Sequence, residues 1–378
     1  MGDAPIAGTE VRISADSHVA EPLDLWVTRF PAKLRDRAPR YDKKPIFSHN
    51  REGGWDPAER LLDMPVDNVT AEVLYPSIAA TLFARRDAEL AETIATIYND
   101  WLIEYCQHAP ERLWGVPCIP LWNVDFAVQE MTRCRKAGMV SAGIWLAPPP
   151  ELPFFLPHYE KLWAAGQDLQ MPLSMHINSG FGYYSNMPVA GTVQGVTLRC
   201  HGNSTMAKEA LSAIILSGVL ERYPQLKIVI GEVNWGWAPF WLQELDENYQ
   251  RYIGRAQGDS PDTLAKLPLL PSEYYQRQCY MTLMEDPVGG YVAERWLHGT
   301  AMWSNDYPHW NGIWGLGTEV INRTLAPLSV DKRYDVVCGN VARLYTKAVP
   351  APLPASGRVP KKNEMSARVQ RSHRVNIT

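Results

Sequence analysis

Short strand-like apolar runs alternate with longer segments of helical periodicity over most of the chain. Several of these runs end on a polar or charged residue, and turn-forming residues separate them from the next segment. The predicted strands are VRISAD (11–16), AEVLYP (71–76), LWGVPCIP (113–120), MVSAGIWLAP (139–148), MPLSMHIN (171–178), LKIVIGE (226–232), QCYMTL (278–283) and TAMWSND (300–306). This spacing predicts eight strands, each followed by a candidate helix.

The helical segments carry start and stop signals of their own. The segment 87–108 has an acidic start, and the segment 124–137 ends at Gly138, a usual C-terminal stop. A proline at position 22 opens the helix that follows the first strand. Further helices are predicted over 157–167, 205–222, 237–253, 288–298 and 312–325.

Eight strand-then-helix units predict an α/β fold, a closed (β/α)₈ TIM barrel with a parallel sheet covered by helices. A doubly wound open sheet is the alternative, but no G-x-G-x-x-G follows the first strand and no G-x-x-x-x-G-K-[ST] occurs. Long connections over 37–68, 178–204 and 254–277 are expected to be loop insertions that carry substrate-binding elements. We expect residues 1–350 to form the barrel and the basic segment 351–378 to form a C-terminal tail or arm.

Composition narrows the class of protein. The 378 residues are 46% hydrophobic with a net charge of −4, which disfavours nucleic acid as a partner. No apolar stretch reaches the length of a membrane span, and the N-terminus does not read as a signal peptide, so a cytoplasmic protein without membrane contact is expected. The six cysteines form no C-x-x-C pair, which predicts reduced thiols rather than a disulfide or thiolate framework.

Candidate chemistry lies where the predicted strands end. The first ends on Asp16 with His18 two residues on, the fifth carries His176, the sixth ends on Glu232 and the eighth on Asp306. Because the carboxyl ends of barrel strands meet on one face, these side chains are expected to converge. Buried charges there need compensation, which a divalent metal supplies. The alternative is a buried hydrogen-bonded network without a metal.

The sequence here resembles the amidohydrolase superfamily, within it the amidohydrolase-related branch of aromatic-acid decarboxylases and hydrolases. The matching stretches are ISADSHVAEPLDLW (13–26), AEVLYPS (71–77), SGVLERYPQLKIVIGE (217–232), WAPFWLQELDENY (237–249) and MWSNDYPHWNG (302–312). The resemblance implies a metal-binding barrel with ligands at Asp16, His18, His176 and Asp306. The chain departs from the superfamily in having Asp16 for the first histidine, no lysine on the fourth strand, and Glu232 where a histidine is frequent.

Two more histidines, His201 and His309, belong to the candidate functional residues. His201, expected in the loop after the fifth strand, and Glu232 could complete a second metal site, although Glu232 could equally orient a ligand histidine. Asp306, His309 and Glu232 are candidate acids or bases. Core packing is the default role of the many tryptophans near predicted strand ends, but beside the ligands they would line an apolar, aromatic-walled cavity.

The hypothesis favoured at this point is a non-haem diiron monooxygenase that hydroxylates an apolar substrate, which could be carried as a coenzyme A thioester. Its support is the resemblance to TIM-barrel diiron relatives together with a ligand set larger than one zinc needs. The enzymatic alternative is a decarboxylase or hydrolase of an aromatic or cyclic carboxylic acid that uses one zinc or manganese ion. The second alternative is a barrel that binds a small molecule without turnover. A homodimer is expected.

Overall fold

The apolar runs form parallel strands that close into a barrel in the computed structural model, which describes residues 10–40, 51–181, 191–296 and 298–359. The strands are β1 Arg12–His18, β2 Val69–Tyr75, β3 Leu113–Gly115, β4 Ala142–Ile144, β5 Leu173–His176, β6 Ile228–Gly231, β7 Cys279–Leu283 and β8 Ala301–Trp303. Every residue of β1 and β2 is buried, as expected of strands with helices on one face and a packed interior on the other. All eight predicted strands are confirmed.

Hydrogen bonding divides the barrel wall into two sheets, β1–β2–β3 and β4–β5–β6–β7–β8. A bridge between Cys118 and Gly143 joins the two sheets on the β3–β4 side. On the other side, the amide of Asp306 donates to the carbonyl of Asp16 (3.0 Å), and the amide of His18 donates to the carbonyl of Tyr307 (2.6 Å). These contacts close the wall, so the α/β TIM-barrel prediction is confirmed.

Helices surround the strands in the expected alternation. They are α1 Leu25–Arg29, α2 Pro57–Asp63, α3 Ala88–Cys106, α4 Val124–Lys136, α5 Glu160–Asp168, α6 Val193–Leu216, α7 Val219–Arg222, α8 Ala238–Tyr252, α9 Pro271–Gln278, α10 Pro287–Arg295, α11 Gly317–Thr324, α12 Val330–Tyr334 and α13 Asn340–Tyr345. The sequence placed one helix over 205–222, but two occupy this region, divided at Gly218, whose φ of 76° is easily adopted only by glycine. The first of them, α6, begins at Val193 because the Thr192 hydroxyl caps it by accepting from the Gly195 amide (3.0 Å).

The long connections contain more structure than the sequence predicted. Helix α2 lies within 37–68, whereas α6 begins within 178–204 and α9 begins within 254–277. Residues 351–359 have no regular secondary structure, and Arg358 pairs with Asp63 of α2 at 2.9 Å. Residues 360–378 of the predicted tail lie outside the described residues, and its boundary stays a prediction. In the described parts of the chain, each helix is too short or too polar to cross a bilayer.

Candidate metal centre

The ends of β1, β5 and β8 bring the predicted ligands to one place. Asp16 and His18 are two residues apart on β1, so both side chains lie on the same side of the strand. His176 ends β5, and Asp306 follows β8. One possible ligand atom from each of Asp16, His18 and His176 lies within 4.8 Å of the other two, and His18, Asp306 and His309 form a second such group. The convergence expected from the strand order is therefore present.

Distances within the cluster fit donors arranged around a common centre. His18 Nε2 lies 3.5 Å from Asp16 Oδ1 and 3.4 Å from Asp306 Oδ1. His176 Nε2 lies 3.4 Å from Asp16 Oδ1. Asp16 Oδ1 and both Nε2 atoms are buried and accept or donate no hydrogen bond within the described structure. Because buried polar atoms are normally satisfied, these three atoms require another partner, and a cation between them would provide it.

Hydrogen bonds on the far side of each ring prepare the histidines to bind a metal. His18 Nδ1 lies 2.9 Å from the carbonyl oxygen of Pro76, and His176 Nδ1 lies 3.0 Å from that of Ile177. A carbonyl oxygen can only accept, so each Nδ1 carries a proton and Nε2 is the ring nitrogen left to bind a metal. This is the usual arrangement of metal-binding histidines, in which the outer hydrogen bond fixes ring orientation.

Charge in the site is divided unevenly among the histidines. Burial lowers the pKa of His18 well below its usual value, and repulsion from His309 and His176 adds to this effect. Burial likewise lowers the pKa of His309 to about 4. Burial also acts on His176, but the negative charge of the nearby Asp16 outweighs it and raises its pKa to about 10. The carboxylates therefore draw positive charge into the site.

Glu232 lies at the edge of this cluster, with Oε2 3.9 Å from His176 Nε2. Its φ of 58° is left-handed, which is uncommon for a residue other than glycine and favours a functional explanation. Burial and the charge of Asp306 raise the pKa of Glu232 well above its usual value. A Cβ on the preceding Gly231 would lie 2.5 Å from His176 Cδ2 and 2.6 Å from Asp16 Oδ2, so a residue without a side chain is needed where β6 passes the ligands.

His309 contacts two groups of the cluster directly. Its Nδ1 lies 2.9 Å from Asp306 Oδ1, and its Nε2 lies 3.1 Å from the Ser77 hydroxyl. Its ring stacks on that of His18 with a centroid distance of 3.9 Å. His309 is thus placed to orient Asp306 and to exchange a proton with it.

His201 differs from the other predicted residues. It is exposed, lies in α6 rather than in the expected loop, and belongs to neither group of mutually close ligand atoms in the described residues. The sequence predicted a loop because 178–204 is a long connection rich in proline and glycine, whereas the structure extends the helix back to its threonine cap. The second metal set that paired His201 with Glu232 is therefore not assembled here.

Sequence reasoning missed two residues that support the ligands. Thr282, at the end of β7, donates from its hydroxyl to Asp16 Oδ2 (3.0 Å) and accepts from the amide of Glu232 (2.8 Å). Arg60 of α2 is fully buried and donates to the carbonyl of His18 (2.9 Å) while its Nε donates to Glu72 (2.5 Å). A polar residue in an apolar strand could have marked Thr282, but no sequence pattern marked Arg60.

Aromatic rings follow the strand ends next to β5. Trp122 packs edge-on against Trp145 at 5.5 Å and against Phe181 at 5.7 Å between ring centroids. These residues follow β3, β4 and β5. The carboxyl-terminal edge of the barrel therefore has an aromatic border on this side.

Comparison with known proteins now identifies the family. The family model described as amidohydrolase matches residues 15–347. Gamma-resorcylate decarboxylase of Rhodococcus jostii (strain RHA1) is 29% identical over 214 residues, which cover 51% of this chain and 63% of that protein. The match to this curated relative thus spans less than two thirds of the relative's length.

Solved structures share the architecture over nearly the whole chain. The 5-carboxyvanillate decarboxylase of Sphingomonas paucimobilis has a TM-score of 0.66 at 22% identity, covering 90% of this chain and 100% of that one. The dihydroxybenzoic acid decarboxylase of Polaromonas sp. JS666, solved with bound manganese and 2-nitroresorcinol, has a TM-score of 0.62 at 19% identity, covering 89% and 97%. At these identities the similarity shows a shared fold.

The prediction of a diiron monooxygenase is wrong. The relatives that match in sequence are decarboxylases of an aromatic acid, in agreement with the alternative drawn from the sequence. The physical reason is that imidazole and carboxylate ligands suit zinc, manganese and iron alike, so ligand types do not select the reaction. The coenzyme A thioester belonged to that interpretation, whereas the homodimer stays a prediction.

Proposed function

Because this chain belongs to the amidohydrolase family, we propose that it removes the carboxyl group of an aromatic acid with the help of one divalent zinc or manganese ion. The observation that carries the proposal is the convergence of buried donor atoms from β1 and β5 that no hydrogen bond satisfies. The decarboxylase relatives, one of them with bound manganese, support the reaction class and the metal.

Four residues are suited to hold the ion: Asp16, His18, His176 and Asp306. Two imidazoles with carboxylates form a donor set that suits zinc or manganese, and both imidazoles direct Nε2 toward the cluster because Nδ1 is held by a carbonyl oxygen. When bound, such an ion acts as a Lewis acid that binds and polarises the oxygens of the substrate.

The remaining chemistry belongs to the side chains around the ion. Loss of carbon dioxide breaks the bond between the carboxyl carbon and the ring, leaves the electron pair on the ring carbon, and requires one proton there. Asp306 and Glu232 are the carboxyl groups beside the cluster that could deliver this proton. His309, 2.9 Å from Asp306 Oδ1, orients that carboxyl group. The aromatic border at Trp122 supports a flat, apolar substrate.

The test loads the purified protein with Mn²⁺ or Zn²⁺ and follows carbon dioxide release from 2,6-dihydroxybenzoate and 5-carboxyvanillate, the acids of the related enzymes. We expect one ion per chain and turnover of at least one aromatic acid. His176→Ala should lose the ion while the barrel stays folded, and Asp306→Asn should lose turnover. A protein that carries one ion and releases no carbon dioxide from a panel of aromatic acids would exclude the proposal.

A further inference from the structure

A buried carboxylate follows β1 without belonging to the metal centre. Glu21 lies three residues after His18 and is 3% exposed. It is in neither group of mutually close ligand atoms, and among the described residues no lysine, arginine or histidine pairs with it. A buried carboxylate without a cation is costly unless hydrogen bonds replace the water it has lost. The groups that donate to Glu21 therefore show what this carboxylate holds in place.

Three consecutive backbone amides bind the Glu21 carboxylate. Its Oε1 accepts from the amides of Ser77 (3.2 Å) and Ala79 (3.0 Å), and its Oε2 accepts from the amide of Ile78 (2.9 Å). These residues begin the connection after β2 and lead into a 3₁₀ turn over Ala79–Ala84. The amides do not fully offset burial, which still raises the pKa of Glu21. The contact thus costs free energy, and what it provides is a fixed position for the start of this connection.

The first of these three residues contacts the metal centre. The Ser77 hydroxyl donates to the carbonyl of Val19 (2.7 Å), so its oxygen is left to accept from His309 Nε2 at 3.1 Å. The other nitrogen of that ring, Nδ1, lies 2.9 Å from Asp306 Oδ1. One face of the ring stacks on His18 with a centroid distance of 3.9 Å. The position of Ser77 therefore determines how the His309 ring meets Asp306.

We infer that Glu21 is a positioning residue for proton delivery, because it fixes Ser77 so that His309 holds the Asp306 carboxyl group. The inference rests on the proposed function, in which Asp306 is one of the carboxyl groups that could deliver the proton to the ring carbon. Glu21 acts through Ser77 and His309 and is not itself a catalytic residue. A carboxylate suits this role because both of its oxygens accept, whereas the side-chain amide of glutamine offers one acceptor and one donor group.

Glu21→Gln tests the inference because it keeps the shape of the side chain and removes one acceptor. The NH₂ group of the glutamine would face at least one of the three amides, so the start of the connection should shift. We expect kcat for the aromatic acid that the metal-loaded protein turns over to fall about 10- to 100-fold, since a shift of about 1 Å can cost this much. KM and the number of ions bound per chain should stay as in the wild type, because Glu21 is not among the ligand atoms.

A second measurement does not depend on turnover. The zinc-loaded protein, which is diamagnetic, is labelled with ¹⁵N-histidine, and His309→Gln identifies the NMR signals of His309. We expect the wild type to show a slowly exchanging Nε2–H proton on His309, and Glu21→Gln and Ser77→Ala to lose it. The Nδ1–H signals of His18 and His176, which donate to backbone carbonyls, should remain in both variants.

Asp67→Asn is the matched control, because Asp67 is also a buried carboxyl group that accepts from backbone amides. Its donors are the amides of Gly315 and Gly317, in a different connection. The same exchange of acid for amide at this position should leave both kcat and the His309 signal unchanged. Equal losses in Glu21→Gln and Asp67→Asn would show a general loosening of the fold and overturn the inference.

Three other results would also overturn it: a wild type without the His309 Nε2–H signal, a Glu21→Gln variant that keeps this signal, and a loss of the signal without a fall in kcat. If Glu21→Gln did not fold, Ser77→Ala would decide, since its kcat should fall in the same range and a wild-type value would refute the chain of contacts. Absence of carbon dioxide release from every acid would remove the proposed decarboxylation, whereas the His309 signal would still decide whether Glu21 holds the ring.

Discussion

Thr282→Val removes one hydroxyl that supports the metal centre and changes almost nothing else. The two side chains have nearly the same shape, and Thr282 is fully buried. The substitution leaves Asp16 Oδ2 without its donor at 3.0 Å and the amide of Glu232 without its acceptor at 2.8 Å. We expect the affinity for Mn²⁺ or Zn²⁺ to fall about 10- to 100-fold, the usual cost of losing a residue that orients a ligand.

The same substitution should lower the free energy of unfolding. A buried acceptor that loses its hydrogen bond costs about 1–3 kcal/mol, and more when it is charged, so the carboxylate oxygen of Asp16 alone accounts for a change of this size. The amide of Glu232 adds less because this contact is only partly buried.

The measurement is an equilibrium competition for the metal against a chelator, with thermal unfolding in parallel. Thr282→Ser keeps the hydroxyl and should bind the metal nearly as well as the wild type. Thr324→Val is a second control, since the buried hydroxyl of Thr324 has no hydrogen-bond partner among the described residues and its loss should not destabilise the fold. If Thr282→Val held the metal as tightly as Thr282→Ser, the hydroxyl would have no part in orienting the ligand.

Three further predictions concern the surroundings of the site. Gly231→Ala should abolish metal binding while the variant stays folded, because the added Cβ would overlap the side chains of two candidate ligands. Metal analysis together with circular dichroism checks this, and a folded variant that binds one ion per chain would contradict it. Arg60→Met should lower the free energy of unfolding by about 3–5 kcal/mol by leaving Glu72 buried without its partner, and the double variant with Glu72→Met should recover part of the loss in denaturant titrations. Burial raises the pKa of Asp67 to about 6 despite two amide donors, so the folded state holds this proton more tightly than the unfolded chain. Stability relative to Asp67→Asn should therefore fall by up to about 3 kcal/mol as pH rises from about 4 to 6.5, and a flat difference between the two proteins over this range would be inconsistent with that shift.

The strands and the convergence of four candidate ligands could be predicted from the sequence because local pattern and position encode them. A barrel strand is buried on both faces, so β6 appears as the uninterrupted apolar run before Glu232. The parallel arrangement then sends the ends of β1, β5 and β8 to one edge, whatever their separation along the chain. His18 and His176 could be placed by this rule alone.

Other features depend on contacts that no local pattern carries. Arg60 reaches the carbonyl of His18 from a short helix inside a connection, and only the folded chain brings the two together. His201 was misplaced because the prolines and glycines of 178–204 predict a loop, whereas the cap at Thr192 begins the helix before His201. The reaction could not be chosen because imidazoles and carboxylates serve several metals, and the choice depends on what surrounds them.

Because the barrel wall consists of two sheets, the candidate metal centre lies across the boundary between them. Asp16 and His18 belong to the three-stranded sheet, while His176 belongs to the five-stranded sheet and Asp306 follows its last strand. A cation held by all four would cross-link the two sheets where β8 meets β1. Removal of the ion would therefore weaken the contact between β8 and β1 before it affected the hydrogen bonds within either sheet.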